Sequence, residues 1–243
     1  MNFDFAPDDQ TLFAAVRTAA AGQDSPEALA AALAPTGYLA LALGRECSGP
    51  TLMGAMEALA GVHPGGYLGL EMSTRVLGRA VARWGRPAQR ERWLAPLTRG
   101  AWIGALALTE QGLNVDNDPL TAAGRRERDR VRLDGGKTYV VNSPAAEWIG
   151  VVGRLEEQLT LFMVPRAAGG LAVAEPLASL AAEGLAVADV CLAGVQLTED
   201  QVVSLPEDAL EFLRLWENQV LIAAALGLQA AALSEARDYA KAH

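Results

Sequence analysis

The 243 residues include 51% hydrophobic and 20% charged side chains, enough apolar material for one or two packed domains and too much for a disordered chain. A formal charge of −9 and a pI of about 4.8 argue against a nucleic-acid partner, whose affinity draws its main term from clustered Lys and Arg. Cys47 and Cys191 stand far apart with no metal spacing or His cluster. No metal site is expected, and both read as inert buried thiols in a reducing cytoplasm.

From Asp8 to about Gly100 the pattern is helical. Leu12, Phe13 and Val16 form one stripe, Ser25-Pro26-Glu27 reads as an N-cap followed by a first-turn proline, and Pro35 with Gly37 closes that element. A second run carries Leu52, Met53, Met56 and Leu59. A turn at His63-Pro64-Gly65-Gly66 leads to a third, with Leu70, Val76, Leu77, Val81 and Trp84, which Gly85-Arg86-Pro87 stops.

Beyond Ala101 short β-type runs take over: Trp102–Thr109, Asp129–Leu133, Thr138–Asn142, Trp148–Gly153, Leu159–Val164 and Val187–Leu197. Their spacing predicts a small antiparallel, barrel-like sheet. Asp134-Gly135-Gly136-Lys137 reads as a tight hairpin turn. Arg125, Arg126, Arg128 and Arg130 are interleaved with acidic residues, which points to a solvated hairpin or strand edge. Asp116, Asn117 and Asp118 lack spaced partners and read as a turn. From Pro206 a long helix is expected, with Glu207 and Asp208 in its first turn and apolar residues on nearly every face. Such a helix needs surrounding. Its uncharged core, Val220 to Leu233, is short for a membrane span, the start of the chain has no signal-peptide pattern, and no Rossmann or P-loop fingerprint occurs.

The expected fold class is therefore α+β, in three parts: an N-terminal α-helical domain (1–100), a β domain (101–205), and the first helix of a C-terminal α domain (206–243).

Several strings carry a family resemblance. They are Gly85-Arg86-Pro87-Ala88-Gln89-Arg90-Glu91-Arg92-Trp93-Leu94-Ala95-Pro96-Leu97 with Gly100, then Gly104, Ala107, Thr109, Glu110 and Gly112, and Tyr139-Val140-Val141-Asn142-Ser143. The openings Phe3 to Arg17 and the closing Leu226-Gly227 to Tyr239-Ala240 also fit. Together they resemble the acyl-CoA dehydrogenase family over essentially the whole chain.

That resemblance implies FAD as cofactor and α,β-oxidation of an acyl-CoA thioester, with the flavin against the β domain. Thr109 matches the threonine that faces the flavin pyrimidine, with Leu108 supplying a neighbouring amide. Tyr139 takes the place of a flavin-side tryptophan. Val115 replaces a serine near the substrate, and Val141 replaces a threonine that bonds flavin N5, which with the family's further C-terminal contacts outside these residues implies weak or lost FAD binding. Glu217, in Leu215-Trp216-Glu217-Asn218, resembles the base of those relatives that carry it on this helix, although Asn218 replaces the usual Arg. Trp216 and the run from Val220 to Leu226 are expected to enclose it in an apolar setting, whereas a lone Glu on such a helix otherwise reads as a solvent-facing or interface residue. The family's further C-terminal helices are not among these residues. The expected protein is thus a subunit that needs a partner or a further segment, in a homo- or hetero-oligomer, with an electron-transferring flavoprotein as acceptor. The alternatives are a non-catalytic partner subunit and a flavin-free CoA-ester binding module.

Overall fold

In a computed structural model, which describes residues 4–114, 118–178 and 184–243, helices precede a β-sheet and one long helix follows it. Helix α1 (Pro7–Ala20) buries Phe13 and Val16. Helix α2 (Pro26–Leu33) begins where Ser25 Oγ accepts from the Ala28 amide at 3.1 Å, as its cap residues dictate. Helix α3 (Gly49–Ala60) carries the second apolar run.

His63 opens α4 (Pro64–Glu71) instead of a free turn. Its Nδ1 accepts from the Gly66 amide at 3.1 Å and its Nε2 meets the Gln23 carbonyl at 2.8 Å. The helix then widens into a π-helical segment, Met72–Gly78, before continuing as α5 (Arg79–Trp84) to Gly85. Such segments often accompany functional sites. Beneath it lies a fully buried ion pair, Glu71 Oε2 to Arg75 Nε at 3.3 Å, joined by the Tyr38 hydroxyl at 2.8 Å from Glu71 Oε1. Helix α6 (Pro87–Thr98) completes the helical part.

The sheet contains β1 (Gly104–Ala107), β2 (Ala123–Glu127), β3 (Arg130–Val141), β4 (Trp148–Leu155), β5 (Gln158–Pro165), β6 (Leu171–Val173), β7 (Val187–Leu197) and β8 (Val202–Ser204). Their order is β6-β7-β3-β2-β4-β5-β8, with β1 beside β4. The expected barrel-like closure does not occur among the described residues, because the path ends on the three-residue strands β6 and β8, which do not pair with each other. Nor is pairing wholly antiparallel: β4 runs parallel to β1 and β2.

Asp134-Gly135-Gly136-Lys137 is not a hairpin turn either. Strand β3 runs through it, and the chain reverses earlier, at Arg128-Asp129, where Arg128 has φ +56°. The arginine-rich stretch is accordingly the solvated β2–β3 hairpin. Cys191 is exposed, because alternation along β7 turns it outward, and Cys47 is half-buried. One apolar core joins the helices to one face of the sheet, and a second lines the other face.

Helix α7 spans Ala209–Ala242, so Glu207 and Asp208 precede its first turn instead of forming it. By length and composition it is apolar enough to cross a membrane, a property that counting only its uncharged core understates. Its first half is held by this protein's own helices. Tyr67 Oη donates to the Val220 carbonyl at 2.8 Å, Arg79 Nη1 donates to Gln219 Oε1 at 2.8 Å, and Gly227 packs on Gly61 of the α3 end. Farther along, Leu226, Leu228 and Leu233 are exposed.

Candidate functional site

Between helices and sheet lies a cleft with two unlike walls. Met72 and Val76 of the π-helical segment and Leu213 and Glu217 of α7 form one; Leu106, Leu108, Thr109, Thr138, Tyr139 and Val141 form the other. Five of the six residues singled out in the sequence therefore meet: Leu108, Thr109, Tyr139, Val141 and Glu217. Val115 lies outside the described residues. The enclosed volume is about 90 Å³, well below the ~300 Å³ at which ligand pockets begin. A larger ligand has room beyond it. A hollow of about 360 Å³ shares Thr109, Thr138 and Tyr139 with the cleft, and a further one of about 450 Å³ continues past Thr138 and Asp189.

The loop carrying Leu108 and Thr109 is fixed from beneath. Lys137 Nζ donates to the Leu108 carbonyl at 2.9 Å and to Glu110 Oε1 at 2.6 Å, and the Thr138 amide donates to the Thr109 carbonyl at 2.9 Å. Glu110 also accepts from the Thr121 and Ala122 amides at 2.7 and 3.0 Å. Both partners are buried. Burial would raise the Glu110 carboxyl, but these donations outweigh it and hold it below its ordinary range; burial likewise lowers Lys137, against the pull of Glu110.

Asn142 ties the walls together. At φ +66° its Nδ2 donates to the Gly69 carbonyl of α4 at 2.7 Å and to the Gly104 carbonyl of β1 at 3.0 Å. An alanine Cβ at position 69 would sit 2.6 Å from Asn142 Oδ1, so the glycine is required by this approach. Neither Asn142 nor the Glu110–Lys137 pair was singled out as functional in the sequence. Asn is suited to a left-handed position after a strand, but its two carbonyl partners are remote in sequence.

Tyr139 has φ +55° and is 70% exposed at the cleft mouth. A left-handed backbone costs a non-glycine residue about 1–2 kcal/mol, and such strain concentrates at functional sites. Beside it, Thr138 Oγ1 is buried without a hydrogen-bond partner. Thr109 is exposed. Glu217 is exposed too, which corrects the enclosed apolar setting that Trp216 and the following run implied: Trp216 turns away to pack on Trp84 and Phe212. The arrangement can take a planar aromatic group against Tyr139, offer it the Thr109 hydroxyl, and present a carboxylate from the opposite wall.

Two family models match this chain: the acyl-CoA dehydrogenase N-terminal domain over residues 9–101 and the middle domain over residues 105–195. The chain belongs to the acyl-CoA dehydrogenase family. Among family relatives, a 3-(aryl)acrylate reductase of Clostridium sporogenes is 27% identical over 232 residues, 89% of this chain and 61% of that protein. Acyl-CoA dehydrogenase FadE12 of Mycobacterium tuberculosis is 29% identical over 179 residues, 70% of this chain and 46% of that one. The chain thus spans about half to three-fifths of these relatives. The fold also matches that of the butyryl-CoA dehydrogenase from Megasphaera elsdenii with a TM-score of 0.86, at 19% identity, over 98% of this chain and 70% of that one.

Proposed function

We propose that this chain is the flavin-facing part of an FAD-dependent oxidoreductase that forms an α,β double bond in an acyl-CoA thioester, completed by a partner subunit or a further segment. The observation that carries this reading is the convergence of Leu108, Thr109, Tyr139, Val141 and Glu217 on one cleft.

The residues present fit a flavin ring. Tyr139 offers an exposed aromatic face, Thr109 an accessible hydroxyl, and Thr138 Oγ1 a buried polar atom without a partner. FAD held there would supply the two-electron acceptor for the hydride leaving the β-carbon. Glu217 takes the α-proton from the opposite wall. The Glu110–Lys137 pair keeps the Leu108–Thr109 backbone in place, so the hydroxyl and amides there need no rearrangement on binding. Val141 contributes only methyl groups, and the loss of one hydrogen bond costs about 1 kcal/mol. Weak FAD binding by this chain alone follows. Electrons leave to an electron-transferring flavoprotein, and the two free thiols suit a cytoplasmic setting.

The test is anaerobic addition of acyl-CoA to the FAD-loaded, fully assembled protein, following loss of the oxidised-flavin absorbance. Glu217→Gln keeps the shape and removes the basicity, so it slows this bleaching by at least about a hundredfold, the scale of general-base catalysis. Bleaching at the parent rate would assign the base to the partner. A parent that no acyl-CoA bleaches is a non-catalytic partner subunit.

A further inference from the structure

Strands β3 and β7 contain two bulges of opposite sense, and each is met by an aspartate on the facing strand. Between Leu133↔Val195 and Gly135↔Leu192, β7 carries the extra residue, facing Asp134. Asp134 Oδ1 accepts from the Gly194 amide at 2.7 Å, and Gly194 has φ +68°. Between Lys137↔Val190 and Val140↔Ala188 the extra residue is on β3, where Thr138 and Tyr139 face Asp189. Asp189 Oδ1 accepts from the Tyr139 amide at 3.0 Å, and Tyr139 has φ +55°.

The same device is therefore built twice, although Asp134 also pairs with Arg132 at 2.9 Å and the left-handed residues differ. At the first bulge the left-handed residue is glycine, for which that conformation carries no steric penalty. At the second it is a tyrosine, a strained choice with no compensating burial, since its ring is exposed. Bulges beside functional sites commonly re-aim a side chain, and this one turns the Tyr139 ring to the cleft mouth. The geometry points to Asp189 as a positioning residue for Tyr139: its carboxylate satisfies the amide left over by the bulge and so holds the ring where a planar ligand lies against it. Asp189 lines the hollow that continues the cleft beside Tyr139. The inference deepens the reading of the cleft as a flavin site and rests on it for the identity of the planar ligand, whereas the hold on Tyr139 is a property of the chain itself.

The experiment compares the parent with Asp189→Ala, Asp189→Asn and Asp134→Ala by two readouts, residue-resolved amide exchange and FAD titration. In Asp189→Ala the Tyr139 amide exchanges at least about tenfold faster, while the Val131 and Leu133 amides keep the parent rate. FAD affinity falls about fivefold, the equivalent of one hydrogen bond. Asp189→Asn keeps an oxygen acceptor and restores both. Asp134→Ala speeds exchange at Gly194 and leaves FAD affinity unchanged. An unchanged Tyr139 exchange rate in Asp189→Ala overturns the inference, as does unchanged FAD affinity where the parent binds. A parent that binds no FAD while Asp189→Ala still frees the Tyr139 amide upholds the hold and overturns the flavin reading alone.

Discussion

Lys137 and Glu110 form a buried ion pair, Nζ to Oε1 at 2.6 Å, that brackets Thr109 from beneath, since the same ammonium group also reaches the Leu108 carbonyl at 2.9 Å. The residue that presents its hydroxyl to the cleft thus stands on a charged pair kept from water.

This pair sets an acid limit on stability. Glu110 titrates below its ordinary range in the native protein, whereas in the unfolded chain a glutamate takes its proton near pH ~4.3. Between those two values the unfolded state binds more protons, so stability falls as the pH falls. Glu110→Gln removes this titration and leaves Lys137 buried without its counter-charge, costing about 3–5 kcal/mol at neutral pH. Urea midpoints from pH ~7 down to pH ~3 check both parts: the variant starts lower and declines less steeply. Parallel curves would remove Glu110 from the acid limb.

A second buried pair supports the cleft's other wall. Burial pushes the Glu71 carboxyl up, and Arg75 and the Tyr38 hydroxyl work against it. Breaking such a pair on one side strands a charge, whereas replacing both sides with apolar residues is often neutral or stabilising. Glu71→Leu alone therefore destabilises by about 3–5 kcal/mol, and Glu71→Leu with Arg75→Met recovers most of that loss in denaturant melts. A double variant as unstable as the single one would show that the hydrogen bonds from Arg75 to the Tyr38 and Leu39 carbonyls matter more than the charge.

Much of the helical part was legible because its signals are local. The Phe13–Val16 stripe and the Ser25 cap lie within a few residues of what they determine. The cleft residues were reached through strings that resemble a family, and five of six converge. What escaped depends on partners far along the chain. The Gly135-Gly136 pair looks like a turn, yet β7 pairs with it and makes it strand. The open edges of the sheet, the two aspartate-capped bulges and the Asn142 tie between α4 and β1 depend in the same way on pairings set by the whole fold. Which of the two settings read for Glu217 holds depends on how Trp216 packs, which no spacing reveals.

The outer part of α7 leads to a prediction on assembly. Leu221 and Ile222 are each about half exposed, close to the exposed Leu226 and Leu228, and apolar patches of this kind mark contact surfaces. The isolated chain self-associates, so its light-scattering mass rises with concentration. Leu221→Glu combined with Ile222→Glu lowers that mass without loss of helical signal. A parent that stays monomeric at every concentration contradicts the prediction.

The most direct test of the central claim, that the cleft under Tyr139 and Thr109 takes a flavin, is titration of FAD into the purified chain followed by flavin absorbance. A saturable spectral change that dialysis reverses is predicted, weakened about fivefold in Tyr139→Ala, where stacking worth about 1 kcal/mol is lost. A spectrum that FAD addition never perturbs, or a change of equal affinity in Tyr139→Ala, would contradict it.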